Sequence, residues 1–434
     1  MHYVALATDF DGTLARDGRV PEATLAAMER LRLAGRKLIL VTGRELDDLQ
    51  RVFPELDRFD RLVLENGGLL YRPDTRETVE LGPPPPPAFV ERLRERGVPR
   101  ISVGRVVVAT WRPHEDTVLE AIRDMGLEHH IIFNKDAVMV LPSGINKAVG
   151  LERALSDLGL APHNVVGVGD AENDHAFLMR CGCSVAVANA LDSLKEEVDL
   201  VTGAARGEGV LELVERMLDD DLASLDPALR RHRVLLGERL DREGREPVYL
   251  PPLRHDVLIT GTSGGGKTNM TTAVIEGLLD LGHQVCVLDP EGDYEQMPGL
   301  LRLGDATRPP SLPEAMTALE DPGRSVALDL LGIPAADRPA FLAGLLAEFH
   351  GLRSRTGRPH WLVVDEAHHM LPCEGGPAAD ALGGDVKGLF MITVEPEHLA
   401  RRALSVADRV IAVGREPGRT LRRYAALVGV SAPD

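Results

Sequence analysis

Two aspartates one residue apart, Asp9 and Asp11, follow the apolar run Val4-Ala-Leu-Ala-Thr8. Such a run reads as a strand buried in a parallel sheet, whose carboxyl end is where α/β folds place their chemistry. Carboxylates at i and i+2 leave the strand on the same side, where like charges repel unless a cation neutralises them. Mg²⁺ suits that task because it is hard and prefers oxygen ligands. One carboxylate can then attack phosphorus while the other shuttles a proton. Gly12 and Thr13 give the chain a sharp exit from the strand.

The groups such a reaction needs recur downstream in order. Lys37-Leu-Ile-Leu-Val-Thr-Gly-Arg44 is a second buried strand ending in Thr42 and Gly43, whose hydroxyl and backbone N–H groups can hold a phosphoryl oxygen. Lys147 opens a helix and can offset charge on the nucleophile and the phosphate. Asn164-Val-Val-Gly-Val-Gly-Asp-Ala-Glu-Asn-Asp174 is a further strand ending in acids. Asp170 can complete a magnesium site with Asp9 and the Asp11 backbone carbonyl, and Asp174 can hold a metal-bound water or orient Lys147.

A second constellation lies in the other half. Asp256-Val-Leu-Ile-Thr-Gly-Thr-Ser-Gly-Gly-Gly-Lys-Thr268 fits G-x-x-x-x-G-K-[ST] between an apolar strand and a helical run, Asn269 to Leu279. Gly261, Thr262, Ser263, Gly264, Gly265 and Gly266 let backbone N–H groups wrap the phosphates of ATP. Lys267 reaches the β- and γ-phosphates, and Thr268 ligates Mg²⁺. Trp361-Leu-Val-Val-Asp-Glu366 is a buried strand ending in adjacent acids, with Asp365 in the Mg²⁺ shell and Glu366 polarising the attacking water. Thr393, at the end of the next strand, is a candidate γ-phosphate sensor.

The elements that must position these groups follow an α/β pattern. Pro21 to Ala34 reads as a helix stopped by Gly35, and Leu62 to Gly68 as a strand and turn. Five consecutive prolines, Pro83 to Pro87, mark a linker. The segment from about 82 to 141 alternates short strands with a helix over Glu115 to Met125, a small α+β insert placed to cap the site. Strands at Ser184 and Asp199 to Thr202 and a helix from Gly207 to Met217 close the first domain. We place that domain at 1–222, a linker at 223–248 and a nucleotide-binding domain at 249–434. Between Arg230 and Arg254 the arginines are diluted by Glu238, Asp241, Glu243 and Glu246, and Pro227, Pro247, Pro251 and Pro252 break helical runs. In the last domain we expect strands at 284–289, 325–330, 361–366, 389–394 and 409–414.

Composition sets outer bounds. The chain has 434 residues, with 49 Lys+Arg against 67 Asp+Glu and a net charge of −18, which disfavours a generally basic nucleic-acid surface. Aromatics make up 4%, too few for a long base-stacking groove. Cys181, Cys183, Cys286 and Cys373 are too sparse for a disulfide scaffold. No run approaches a membrane span and no basic leader opens the sequence, so a cytoplasmic protein with reduced thiols is expected.

On Asp9/Asp11, Thr42, Lys147 and Asp170/Asp174, residues 1 to about 220 resemble haloacid-dehalogenase-type phosphatases. The insert position, Pro142-Ser-Gly-Ile-Asn-Lys147 and Val187-Ala-Asn-Ala190 are similar to the Cof-type (IIB) branch with a C2 cap. The resemblance implies a Rossmann-like core, Mg²⁺, an aspartyl-phosphate on Asp9, acid–base duty for Asp11, and a small phosphorylated substrate such as a sugar phosphate. Residues from about 249 to 434 resemble HerA/FtsK-type ATPases through the phosphate loop, Leu288-Asp-Pro-Glu-Gly-Asp-Tyr294 and Val364-Asp-Glu-Ala-His368. That implies a RecA-like fold, a homo-oligomeric ring and an arginine supplied between subunits, for which Arg401, Arg402 and Arg415 are candidates. The expected protein is a phosphomonoesterase fused to an ATPase. The alternatives are an ATP-regulated oligomeric phosphatase with little turnover, or a nucleic-acid end-processing phosphatase with a motor.

Overall fold

The computed structural model describes residues 1–431 apart from 135, 227, 228, 230, 241–244, 252, 253 and 383–386. Pro227, Arg230, Asp241, Glu243 and Pro252 therefore lie outside the described residues. The chain divides into two compact units, Met1–Ala228 and Leu229–Asp434.

Among the described residues, the first unit is built on an eight-stranded sheet. Its order is Leu200–Val201, Cys183–Ala186, Val165–Gly169, Ala5–Thr8, Lys37–Val41, Arg61–Leu64, Leu69–Arg72 and Glu77–Glu80. The strands from Leu200–Val201 through Arg61–Leu64 are parallel. Ala5–Thr8 is buried throughout because helices cover both faces of a parallel sheet, which is why it reads as a continuous apolar run. The antiparallel pair Leu69–Arg72 and Glu77–Glu80 extends the edge. Its outer strand, Glu-Thr-Val-Glu, is half-polar, and no apolar run announces it.

The insert forms its own four-stranded antiparallel sheet, ordered Ser102–Val103, Val108–Trp111, Ala137–Pro142, His129–Asn134. Side chains alternate between its faces. Val108, Val138 and Val140 pack under the helices Pro87–Glu95 and Glu115–Asp124 with Phe89, Leu93, Val118 and Ile122. Val107, Ala109, Met139 and Leu141 line the opposite face. The helix opening at Pro87 is missed by reading the proline run as linker alone. Proline suits the first turn of a helix, where its missing N–H has no partner to lose.

The second unit holds a seven-stranded parallel sheet among the described residues. Its order is Leu300–Leu303, Ser325–Asp329, Val285–Asp289, Trp361–Val364, Leu389–Thr393, Val257–Thr260, Arg409–Ala412. Leu258, Cys286, Leu288, Leu362, Val364 and Met391 fill one face, while Ile259, Val287, Trp361, Val363, Phe390 and Ile392 fill the other. The edge strand Leu300–Leu303 was not expected from sequence, having an arginine at its third position and only one fully buried residue. The stretch expected as a linker contains a hairpin, Val234–Leu240 paired with Arg245–Leu250. Its ends Val234 and Leu250 are buried in the second unit's core with Val274 and Leu278. Gly277 leaves room for this, since a Cβ there would stand 2.9 Å from Val234 Cγ1. Cys181, Cys183 and Cys286 are buried and Cys373 is exposed, all as free thiols. Among the described residues no helix is long and apolar enough to cross a membrane.

One close approach places the lysine. The helix Lys147–Leu158 meets the turn after Arg61–Leu64 through two glycines. A Cβ on Gly67, whose φ is +98°, would lie 1.9 Å from the Asn146 carbonyl oxygen, and one on Gly150 would lie 2.7 Å from Gly67 Cα. Gly67→Ala is therefore expected to displace the start of this helix. The left-handed backbone alone costs about 1–2 kcal/mol, and urea unfolding of the variant should show at least that loss.

Candidate functional site

Three neighbouring parallel strands bring the first set of residues together. Thr8 is in register with Val168 on one side and Leu40 on the other, so Asp9, Asp170 and Thr42 emerge at a common edge. Lys147 enters from the first position of its helix, where the Asn146 carboxamide caps the N–H groups of Ala148 and Val149 at 2.9 and 3.2 Å. Asp174 folds back from the following turn, and its Oδ2 accepts from the N–H groups of Asp170 and Ala171 at 2.9 and 3.0 Å.

Lys147 is the hub of this cluster. It is 1% exposed, and its Nζ lies 2.6 Å from Asp9 Oδ1 and 2.6 Å from Asp174 Oδ1. Burial works against its ammonium, but Asp174 and Asp9 more than offset this and raise its pKa above the usual lysine value. Burial, followed by the Asp174 carboxylate, pushes Asp9 up to about 8 despite Lys147. Asp9, Asp170 and Asp174 offer oxygens within 4.8 Å of one another. Three clustered carboxylates against one ammonium leave an excess of negative charge in a buried place. A hard divalent cation matches both that excess and the all-oxygen donor set, so the cluster fits a Mg²⁺ site. Thr13 Oγ1 donates to Asp170 Oδ1 at 2.9 Å and steadies that ligand. Thr42 is buried beside Gly43, its hydroxyl accepting from Arg44 N–H at 3.2 Å.

Three residues near this site escape a sequence reading. Arg44 donates from Nε and Nη2 to both oxygens of Asp11, at 2.6 and 2.8 Å. Glu65 is buried and accepts from the N–H groups of Arg105, Val106 and Val107 at 3.0, 2.8 and 3.0 Å, tying the cap to the core. Asn66 is buried between Asn173, whose Nδ2 donates to it at 2.9 Å, and Met139 of the cap. The run Glu65-Asn-Gly-Gly68 reads as an ordinary turn, and its one signal is polar residues directly after an apolar strand.

In the second unit, Gly261, Gly264 and Gly266 have φ of +158°, +72° and +96°. A Cβ on Gly261 would lie 1.9 Å from the Val413 carbonyl, so only glycine passes there. Thr262, Ser263 and Thr268 are exposed, Gly265 is half-buried, and the buried Lys267 has its Nζ 3.4 Å from the Thr262 carbonyl. Asp365 accepts from Glu366 N–H at 2.9 Å and from the Tyr294 hydroxyl at 3.0 Å. Tyr294, another residue missed, is fixed because the Asp289 carboxylate accepts its N–H and those of Glu291, Gly292 and Asp293. Burial pushes Asp365 up to about 6, and burial then Asp365 raise Glu366. Glu366 sits at a left-handed φ of +41°, and among the described residues its buried Oε2 has no hydrogen-bond partner. Thr393 is buried, 3.4 Å from His368 Nδ1; burial and the neighbouring His369 push His368 down to about 4, leaving its ring neutral at pH 7. Arg402 donates to the Leu382 carbonyl at 2.7 Å, and Arg401 and Arg415 are exposed.

A parallel sheet with clustered carboxylates at its carboxyl edge and an inserted α+β cap defines the first unit as a capped Rossmann-like domain. Sequence comparison agrees. The profile of haloacid dehalogenase-like hydrolases matches residues 6–81 and 101–214, and that of the HerA helicase central domain matches residues 235–334. A phosphoglycolate phosphatase of Methanothermobacter thermautotrophicus is 33% identical over 220 residues, covering 49% of this chain and 98% of its own length. One from Halorubrum lacusprofundi is 32% identical over 215 residues, covering 47% of this chain and 92% of its own. Among solved structures, a haloacid dehalogenase-like hydrolase from Bacteroides thetaiotaomicron superimposes with a TM-score of 0.43 at 21% identity, covering 50% of this chain and 99% of that one. The chain belongs to the haloacid dehalogenase-like hydrolases through its first unit and carries a HerA central domain in its second.

The charge excess has a measurable consequence. An aspartate raised from 3.8 to about 8 contributes stability while protonated, fully below about pH 4 and progressively lost as pH rises through 8. Thermal stability of the chelator-treated chain is expected to fall over that window. Mg²⁺ binds the ionised carboxylates, so at 100-fold its dissociation constant it should add about 2.7 kcal/mol, with a larger upward shift in melting temperature at pH 8 than at pH 5. A shift absent at both pH values would remove the metal from this cluster.

Proposed function

We propose that the first unit hydrolyses small phosphomonoesters by way of an aspartyl-phosphate, and that the second unit binds and hydrolyses ATP. The observation that carries the first reading is the buried Asp9 held 2.6 Å from Lys147 with Asp170 and Asp174 beside it. An Asp9 carboxylate oxygen attacks phosphorus as the ester oxygen leaves. Asp11 gives that oxygen its proton, then takes one from the water that cleaves the aspartyl-phosphate. Thr42 and the Gly43 N–H hold phosphoryl oxygens, and Lys147 neutralises charge on Asp9 and the transferring group. Asp9, Asp170 and the Asp11 carbonyl, supported by Asp174, would hold Mg²⁺, which would supply further positive charge to the phosphoryl oxygens. The relatives are phosphoglycolate phosphatases, which favours a small carboxylated phosphoester over a sugar phosphate.

For the second unit, the support is Glu366, a half-buried carboxylate beside Asp365 and Lys267 whose Oε2 faces His368 Nδ1 at 3.3 Å without hydrogen-bond geometry. A carboxylate there would polarise a water for attack on a bound γ-phosphate. The glycine loop would receive the phosphates, Thr268 and Asp365 would hold Mg²⁺, and Thr393 would sense the γ-phosphate.

Separate variants divide the two activities. Asp9→Asn is expected to lower phosphate release from an aryl phosphate by at least about 10³-fold while leaving ATP hydrolysis in place. Glu366→Gln should do the reverse. Full phosphatase activity in Asp9→Asn would remove the nucleophile from this reading.

A further inference from the structure

Arg44 directly follows the Thr42-Gly43 seat proposed for the phosphoryl group. Its Nε and Nη2 donate to Asp11 at 2.6 and 2.8 Å, and its Nη1 donates to Asp48 at 2.5 Å. This is the fork-to-fork arrangement with which a planar guanidinium recognises a carboxylate. The carboxylate so held is the one the proposed mechanism needs turned toward the leaving oxygen. While both of its oxygens accept from Arg44, Asp11 presents no O–H to another acceptor.

The neighbouring cation offers no substitute receptor. Lys147 is 1% exposed, and its ammonium lies between Asp9 and Asp174. Arg44 and Asp11 are 24% and 36% exposed, so an incoming anion can reach the pair. The next residue, Glu45, accepts a hydrogen bond from Ser102 of the cap, so phosphate seat, guanidinium and cap contact fall within one short stretch.

We propose that Arg44 is the specificity residue of the phosphatase site, binding a carboxylate on the leaving group of the substrate in exchange for Asp11. The substrate class is then phosphomonoesters of short hydroxy acids, with the carboxylate near the ester oxygen because it takes the place on Arg44 of Asp11, the proposed proton donor to that oxygen. Binding the right substrate and freeing the proton-shuttling aspartate become one event. An alkyl phosphate without a carboxylate occupies the phosphate seat but leaves the Arg44–Asp11 pair closed. This inference rests on the phosphatase reading above.

The test measures kcat and KM of the full chain with Mg²⁺ on phosphoglycolate and on ethyl phosphate, which lacks the carboxylate. Wild type is expected to favour phosphoglycolate. Arg44→Gln should lower the phosphoglycolate-to-ethyl phosphate ratio of kcat/KM by about 10- to 100-fold, the range of a charge-assisted bidentate contact. Arg44→Lys should recover part of it, because lysine keeps the charge without the fork. Equal loss on both esters would make Arg44 a mere brace for Asp11 and overturn the proposal. So would a wild type with no preference, which decides the matter even if the variants fail to fold. A wild type inactive on every phosphomonoester would instead overturn the phosphatase reading itself.

Discussion

The contact of Lys147 with Asp9 and Asp174 is the interaction on which the first unit's chemistry depends. Taking an ammonium and two carboxylates out of water is costly, and such a group survives only with close geometry and further hydrogen bonds. Both conditions hold. The ammonium is 2.6 Å from each carboxylate, and Asp174 also accepts two backbone N–H bonds. Removing one partner of a buried pair typically costs about 3–5 kcal/mol, so the cluster constrains the elements around it. The Asn146 cap, the Gly67–Gly150 approach and the parallel register of Ala5–Thr8 with Val165–Gly169 all bring these side chains to one point.

The phosphate site proposed for the second unit also lies at the carboxyl edge of a parallel sheet, but is built by different means. Here backbone rather than a buried ammonium sets the shape. Gly261 passes the Val413 carbonyl where no side chain fits, and Gly264 and Gly266 take left-handed backbone angles. The aspartate of this site is oriented from behind by Tyr294, which is itself fixed by four N–H groups folded around Asp289.

Much of this was legible in the sequence because the central strands are apolar on both faces and end in polar groups. Asp9, Thr42 and Asp170 each follow such a run, and the structure places them side by side. The sequence reading had less purchase on contacts made across the fold. Arg44 looks like a surface arginine until the chain brings Asp11 against it, and Glu65 looks like a turn residue until the cap's N–H groups meet it. The half-polar strand Glu77–Glu80, the strand Leu300–Leu303 and the hairpin Val234–Leu250 lie at edges or outside the main sheets, where neither continuous apolarity nor clean alternation marks a strand. Pro87 concealed a helix because proline at a first turn and proline in a linker are written alike.

The chain thus joins a haloacid dehalogenase-like hydrolase unit, for which a carboxylate is the proposed nucleophile, to a HerA central domain, for which water is. Covalent modification of Asp9 is the step that sets the proposed phosphatase chemistry apart from direct hydrolysis by water. Mixing the full chain with Mg²⁺ and a phosphate-labelled phosphomonoester, then quenching in acid, measures this directly. An acid-stable, hydroxylamine-labile label on the peptide that contains Asp9 is the predicted result. Turnover with no labelled protein, or with the label on a peptide that lacks Asp9, would contradict it.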